Sequence, residues 1–379
     1  MSQWNIPLFD SDYDQSEIDA VVRVLQSRWL TMGELTRQFE IQFCHYLHVK
    51  HGFAVSNCTT ALHLANVGLG IGPGDEVIVP SLTFVASVNS VLYAGATPIF
   101  ADIVSEDDLT ISPDDIERKI TPRTKAILVV HYAGYPCHMD EIMAIAQKHR
   151  LAVIEDAAHA PGAKLNGTFC GSFGDYGCFS FFSNKNLATG EGGMIVTNRD
   201  DLAEKIRLAR SHGMTSLTLD RYKGHSYTYD VVALGYNYRP TEITSALGMV
   251  QLGKLDANNK MRQQLCHYYR EQLADIPGIK IPFANHPGIS SYHIFPILLN
   301  PKLDRTRFMD FLKQHGIQTS IHYPPVHRFT YHQKFYQAHH PLPITDEIAQ
   351  REVTLPLYPN LSFDQIDYIV DVIKKFVLE

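Results

Sequence analysis

Phe179-Ser180-Phe181-Phe182-Ser183-Asn184-Lys185-Asn186-Leu187-Ala188-Thr189-Gly190-Glu191-Gly192-Gly193 carries the reading of this chain, together with Val153-Ile154-Glu155-Asp156-Ala157-Ala158-His159 shortly before it. The earlier stretch is an apolar strand that ends on an acid. In open α/β sheets ligands gather at the carboxyl ends of strands, so Asp156 is placed to face a site, where a buried carboxylate needs a cationic partner. Taken alone, it is better read as a helix cap or a structural salt bridge. The later stretch sets a lysine just past a second apolar strand, before glycines that let the backbone pass close to a ligand. A desolvated lysine loses its proton, and only the neutral amine forms an imine with an aldehyde. A lone loop lysine is usually solvated. What weighs against that here is the order: strand-end acid, 185 − 156 = 29 residues, then strand, small polar residues, lysine and a Gly-Glu-Gly-Gly turn.

Outward from these stretches, short β-branched runs alternate with helical patterns between about residues 50 and 210. Strands are expected at Gly52–Val55, Glu76–Pro80, Thr97–Asp102, Ala126–His131, Ala152–Asp156, Cys178–Phe182 and Gly193–Thr197. Helices are expected at Thr59–Gly68, Phe84–Ala94, Pro113–Ile120, Asp140–His149 and Asp201–His212. Such alternation predicts an α/β fold with a mostly parallel central sheet flanked by helices. The polar stretch Ser216–Tyr229 reads as a long surface loop. A long helical pattern follows from Thr241 to Asp275, with an expected break near Asp256–Asn259. From about Pro277 a smaller C-terminal α+β unit is expected, with a strand at Tyr292–Leu299, a helix at Asp304–His315, a strand near Gln318–Ile321 and a closing helix at Phe363–Leu378. The boundary is set near residue 255, giving a large unit over 1–255 and a small one over 256–379.

Composition narrows the function classes. With 379 residues, 45% hydrophobic and 19% charged, the chain can bury a large core, and a formal charge of −7 offers nothing to nucleic acid or an anionic membrane. Six scattered cysteines, Cys44, Cys58, Cys137, Cys170, Cys178 and Cys266, form no CxxC pair or zinc spacing, so reduced thiols and no metal are expected. No membrane-length apolar run and no leader pattern at the N-terminus are seen, so the expected location is the cytoplasm, and the Asn-x-Ser/Thr matches at Asn57 and Asn360 are chance. Gly68-Leu69-Gly70-Ile71-Gly72-Pro73-Gly74 lacks the strand-before, helix-after context of a dinucleotide fingerprint and reads as a helix-to-strand turn.

Further motifs recur in a fixed order: Trp29-Leu30-Thr31-Met32-Gly33, Ser56-Asn57-Cys58-Thr59-Thr60-Ala61-Leu62-His63, Pro80-Ser81-Leu82-Thr83-Phe84-Val85-Ala86, Ser211-His212-Gly213-Met214, Gly235-Tyr236-Asn237-Tyr238-Arg239-Pro240-Thr241-Glu242 and His322-Tyr323-Pro324. With the acid and lysine segments, they make the chain resemble, nearly end to end, the DegT/StrS-type sugar aminotransferases of the fold-type I (aspartate-aminotransferase-like) pyridoxal-phosphate enzymes. The resemblance implies a Schiff base between Lys185 and pyridoxal 5'-phosphate, with the pyridoxamine form as intermediate. It implies that Asp156 pairs with the pyridine nitrogen, His159 contacts the ring's phenolic oxygen and Phe84 stacks on the ring. The phosphate would sit on Thr59, the Cys58 amide and the Ser180 hydroxyl at a helix start, where free N–H groups favour an anion. Family members usually carry glycine where this chain has Cys58.

Asn237 would reach the phosphate from the partner subunit of a homodimer. Arg239, Arg221, Lys223, His322 and Tyr323 are candidates for substrate contacts, though solvated roles suit them too. The implied reaction moves an amino group from an amino acid, glutamate as the family's usual donor, to a nucleotide-linked keto sugar, with 2-oxoglutarate as coproduct. The Gly190–Gly193, Ser211–Gly213 and Gly235–Arg239 segments resemble members that aminate 4-keto-6-deoxy sugars. A 3-keto sugar or a cyclitol ketone is the alternative. A dehydratase branch replaces the lysine with histidine, which Lys185 argues against, and a non-catalytic sensor has no need of Asp156, His159, Ser180 and Lys185 together.

Overall fold

The computed structural model describes residues 4–216, 224, 228–336 and 340–378. Two N-terminal helices, α1 (Gln15–Ser27) and α2 (Glu34–Leu47), lead into β1 (His51–Val55), α3 (Cys58–Gly68), β2 (Glu76–Pro80), α4 (Val85–Tyr93) and β3 (Thr97–Ala101). Then come α5 (Pro113–Arg118), β4 (Thr124–Val130), α6 (Met139–His149), β5 (Ala152–Asp156), a small hairpin of β6 (Lys164–Leu165) and β7 (Thr168–Phe169), β8 (Tyr176–Ser180), β9 (Gly193–Thr197) and α7 (Asp200–Ala209). The seven-stranded sheet has the order β1-β9-β8-β5-β4-β2-β3. β9 pairs antiparallel with both neighbours, and the remaining pairs are parallel.

Both faces of the sheet are covered, as parallel strands require. On one face Leu62 and Leu64 of α3, Val88 of α4 and Ile206 of α7 meet Val77, Val79, Leu128 and Ile154. On the other, Ile116 and Ile142 of α5 and α6 meet Ile78, Ile127, Val129 and Val153. Phe39 and Phe43 of α2 close the β8–β9 side against Phe179 and Phe181, with Phe43 and Phe179 edge to face at 5.0 Å.

The expected break near Asp256–Asn259 does not exist: α8 (Glu242–Leu273) is one helix of 32 residues. The weak helix formers there are held by tertiary bonds that outweigh local propensity. Asp256 accepts the Tyr46 hydroxyl at 2.7 Å, and Asn259 donates to the Pro161 carbonyl at 2.9 Å. Beyond it lie β10 (Ile279–Lys280), β11 (Phe295–Leu299), α9 (Arg305–Gln314), α10 (Pro343–Arg351), β12 (Glu352–Leu355) and α11 (Phe363–Leu378). The expected strand near Gln318–Ile321 is also a correction. Only an isolated bridge, Ser320 to Thr354, forms there, and the third strand of the sheet β10-β11-β12 comes from 352–355 instead. Leu265 and Tyr269 of α8 share a second core with Phe295, Ile297, Phe308, Val353, Ile369 and the N-terminal Ile6. Among the described residues no helix is long and apolar enough to cross a membrane, and no group of His, Cys, Asp and Glu could hold a metal ion.

Candidate active site

At the carboxyl edge of the sheet, the ends of β5 and β8 and the start of α3 converge on one cleft of about 460 Å³, within the range of small-molecule sites. Asn57, Cys58, Thr59, Thr83, Phe84, Asp156, His159, Ser180, Lys185, Glu191, His322 and Tyr323 line it. Half of the lining residues, Cys58, Thr59, Phe84, Asp156, His159, Ser180, Lys185, His322 and Tyr323, are ones the sequence singles out.

Asp156 ends β5 and is buried. It accepts the Ser87 hydroxyl at 2.7 Å and the Ala158 N–H at 3.1 Å, and burial raises its pKa against the pull of these bonds and of Lys185. The carboxylate thus has hydrogen bonds but, among the described residues, no cation in direct contact, which suits a cationic ring nitrogen. Lys185 lies on the turn after β8, its N–H bonded to the Phe182 carbonyl at 2.9 Å. Burial of its ammonium lowers the pKa to about 8, with Asp156 opposing. An amine so tuned reaches its neutral, nucleophilic form far more readily near neutral pH than a solvated lysine does.

Asn57 caps α3: its side chain accepts the Thr60 N–H at 2.9 Å, and its carbonyl takes that of Ala61. The N–H groups of Cys58 and Thr59 have no partner among the described residues, and both residues line the cleft with Ser180. Two free amides and two hydroxyls at the positive end of an 11-residue helix form an anion cradle. The cradle depends on Gly193, because a Cβ there would lie 2.6 Å from the Asn57 backbone and 2.7 Å from Cys58 N. Cys58 is in helical register with its side chain buried in the core, so it occupies the usual glycine position without blocking the amide.

His159 Nε2 meets the Tyr323 hydroxyl at 2.9 Å, while Nδ1 is buried without a partner among the described residues; burial and the positive Lys185 hold the ring neutral. His322 Nδ1 bonds the Thr354 hydroxyl at 2.8 Å, and burial drives its pKa down to about 3. Phe84 caps α4 with its ring 57% exposed, 5.9 Å from the Tyr323 ring, so a flat ligand has an aromatic face to lie against. Asn237 and Arg239 do not line this cleft. Asn237 is exposed, bridged to Ser211, and Arg239 donates to the Ser211 hydroxyl at 3.1 Å. Arg221 and Lys223 lie outside the described residues. Sequence reasoning missed Ser87 and His293. Ser87, one helical turn beyond Phe84, binds Asp156, and His293 Nε2 lies 3.3 Å from Lys185 Nζ.

An anion cradle, an aromatic face, a strand-end acid and a depressed lysine on a mostly parallel sheet define a pyridoxal-phosphate enzyme of fold type I, and those residues fit that cofactor. The chain belongs to the DegT/DnrJ/EryC1/StrS aminotransferase family, whose model matches residues 11–374. It is 40% identical to the spore coat polysaccharide biosynthesis protein SpsC of Bacillus subtilis, over 99% of this chain and 96% of that one. Among solved structures it is similar to Helicobacter pylori PseC, an aminotransferase involved in the biosynthesis of pseudoaminic acid, at 30% identity, with a TM-score of 0.91 over 98% of this chain and 99% of that one. It is also similar to the PLP-form of the putative sugar aminotransferase Spr1654 from Streptococcus pneumoniae, at 28% identity, with a TM-score of 0.92 over 99% of both chains. The protein is a sugar aminotransferase that uses pyridoxal phosphate.

Proposed function

We propose that the protein transfers the amino group of L-glutamate to the ketone of a nucleotide-linked 4-keto-6-deoxy sugar, with Lys185 as the residue that bonds the cofactor. The observation that carries this is the convergence of Lys185, Asp156 and the α3 amides on one cleft. When bound, the cofactor supplies an aldehyde carbon and an electron-accepting ring. Asp156 would keep a proton on the ring nitrogen, His159 would contact the phenolic oxygen, Phe84 would cover the ring face, and Cys58, Thr59 and Ser180 would hold the phosphate. The amine of Lys185, once free, would serve as the general base and acid that takes up and returns the substrate's α-proton.

Arg239, His322 and Tyr323 are assigned to the sugar nucleotide, as are Arg221 and Lys223. The 4-keto preference rests on the likeness of the Gly190–Gly193, Ser211–Gly213 and Gly235–Arg239 segments to such members. We infer that the site is completed in a homodimer, where Asn237 of one subunit reaches the other's phosphate. Its exposure beside exposed Val231, Val232 and Leu234 supports this. A core built from residues beyond 255, with Ile6 joining it, supports a small unit over 256–379 beside a large one over 1–255, and Val326 and Leu342 pack across into the core of the large one. A cytoplasmic location fits the substrates assigned.

Turnover of a panel of 4-keto and 3-keto nucleotide sugars and a cyclitol ketone, with glutamate as donor, tests the assignment. Fastest turnover of a 4-keto sugar with double-displacement kinetics is expected. Exclusive use of a 3-keto sugar or the cyclitol, or a ternary-complex pattern, would overturn it.

A further inference from the structure

Among the side chains not yet given a role, His293 is the one that touches the reacting amine. Its ring is buried, 4.3 Å from that of His159, with Nε2 3.3 Å from Lys185 Nζ. Such a histidine either donates to the amine or accepts from it, and the two arrangements act on the lysine in opposite ways.

A chain of bonds leading away from the cleft selects one of them. Asn259 Nδ2 donates to the Pro161 carbonyl at 2.9 Å. A carbonyl only accepts, so Asn259 Oδ1 faces the opposite way and receives Asn186 Nδ2 at 2.8 Å. The same Nδ2 donates to the Ser291 carbonyl at 2.7 Å, a second group that only accepts. Asn186 Oδ1 is thereby turned toward His293 Nδ1, 2.9 Å away, and an amide oxygen requires a hydrogen on that nitrogen. Burial, with the positive Lys185 beside it, holds the ring neutral. A neutral imidazole protonated at Nδ1 carries its lone pair at Nε2, where Lys185 Nζ lies.

The geometry points to His293 as a positioning residue that holds the amine of Lys185 whenever it is released from the cofactor, an inference that rests on the assignment of Lys185 made above. A free amine has N–H groups to donate. A lysine nitrogen linked to the aldehyde carbon keeps at most one, so it has fewer to donate and the bond to His293 strengthens on release. With one N–H directed into His293, the amine's lone pair turns away from that ring. His293 therefore favours the state in which a substrate amine has displaced Lys185, and it keeps the freed base in place for the proton transfer that follows.

The test uses holoenzyme and methylamine as a generic displacing amine. The methylamine nitrogen replaces Lys185 Nζ on the aldehyde carbon, and its two N–H hydrogens end on Nζ. Borohydride then fixes whichever link is present, and intact mass gives the fraction of chains still carrying the cofactor on Lys185. In His293→Leu the methylamine concentration that displaces half of this link should rise about tenfold, the worth of one hydrogen bond. His293→Gln, which returns an acceptor oxygen near the Nε2 position, should stay within about threefold of the parent. A His293→Leu variant with the parental value, or a His293→Gln variant as impaired as His293→Leu, overturns the proposal. Should His293→Leu fail to fold, Asn186→Ala probes the same bond. It releases the fixed tautomer and should weaken displacement, and an unchanged value overturns the argument. Parental protein on which borohydride fixes no cofactor at Lys185 defeats instead the assignment of Lys185, a different failure with its own signature.

Discussion

Replacing Lys185 by methionine should make the cofactor-free protein more stable at neutral pH while abolishing transamination. The lysine pKa is lowered from 10.5 to about 8. That lowering corresponds to about 3 kcal/mol, which folding spends on holding the ammonium out of water at pH 7. The residue is only partly covered, so solvent screening reduces this figure. Methionine keeps a comparable unbranched stem but leaves His293 Nε2 without its donor, a loss of about 1 kcal/mol. The net expectation is a gain of about 1–2 kcal/mol. Its pH dependence has a definite sign. Between pH 8 and 10.5 the folded state sheds a proton that the unfolded chain retains, so parental stability rises through this window and the advantage of Lys185→Met fades. Urea unfolding of both apoproteins at pH 7 and pH 10 measures it. A variant no more stable than the parent at pH 7, or an advantage that persists unchanged at pH 10, would refute the reasoning. With cofactor present the order should reverse, because only the parent gains the free energy of the covalent link.

Gly193→Ala places a Cβ within 2.7 Å of the Asn57 and Cys58 backbones, so β9 must move away from the start of α3. Stability should fall by about 2 kcal/mol, as overpacking does, and pyridoxal phosphate affinity, measured by fluorescence titration, should fall at least tenfold. Cys58→Gly separates the backbone from the side chain at the same cradle. Removing a buried thiol at the first turn of α3 should cost about 1–2 kcal/mol in urea unfolding, yet leave cofactor affinity within about twofold, since the donor is the amide.

Much of the site was legible because its residues lie at the ends of elements that sequence patterns delimit well. Glu76–Pro80, Ala152–Asp156 and Gly193–Thr197 are strands with the bounds expected from their β-branched runs, and α11 likewise. Those ends place Asp156 at the edge of the sheet, while its role and that of the α3 amides came from the family resemblance. What escaped depends on contacts between distant segments. His293 sits in Tyr292-His293-Ile294-Phe295, which reads as strand, and only the fold brings it 108 residues back in sequence to Lys185. The continuity of α8 through Asp256–Asn259 rests on Tyr46 and Pro161. The N-terminal α1 does have a local signal, the capping box from Asp14 to Glu17, whose side chain returns to the Asp14 N–H at 2.9 Å. It lies before the alternating pattern of strands and helices, which is why α1 was not among the expected elements.

Asp156 and Lys185 explain why neither could be identified from its own neighbourhood. Each is held in the protonation balance that its burial imposes, the acid raised and the amine lowered, and each partly relieves the other. A structural ion pair would pull both the other way, since a close pair in good geometry favours the charged forms. The departure marks a pair kept apart to serve a third group. A positive nitrogen beside Asp156 restores the carboxylate, and an electrophilic carbon beside Lys185 consumes the neutral amine. One ligand that serves both would carry a cationic nitrogen, an electrophilic carbon and an anion for the start of α3. Substitutions that relieve the apoprotein of its buried charge, such as Lys185→Met, therefore remove function for the same reason that they add stability.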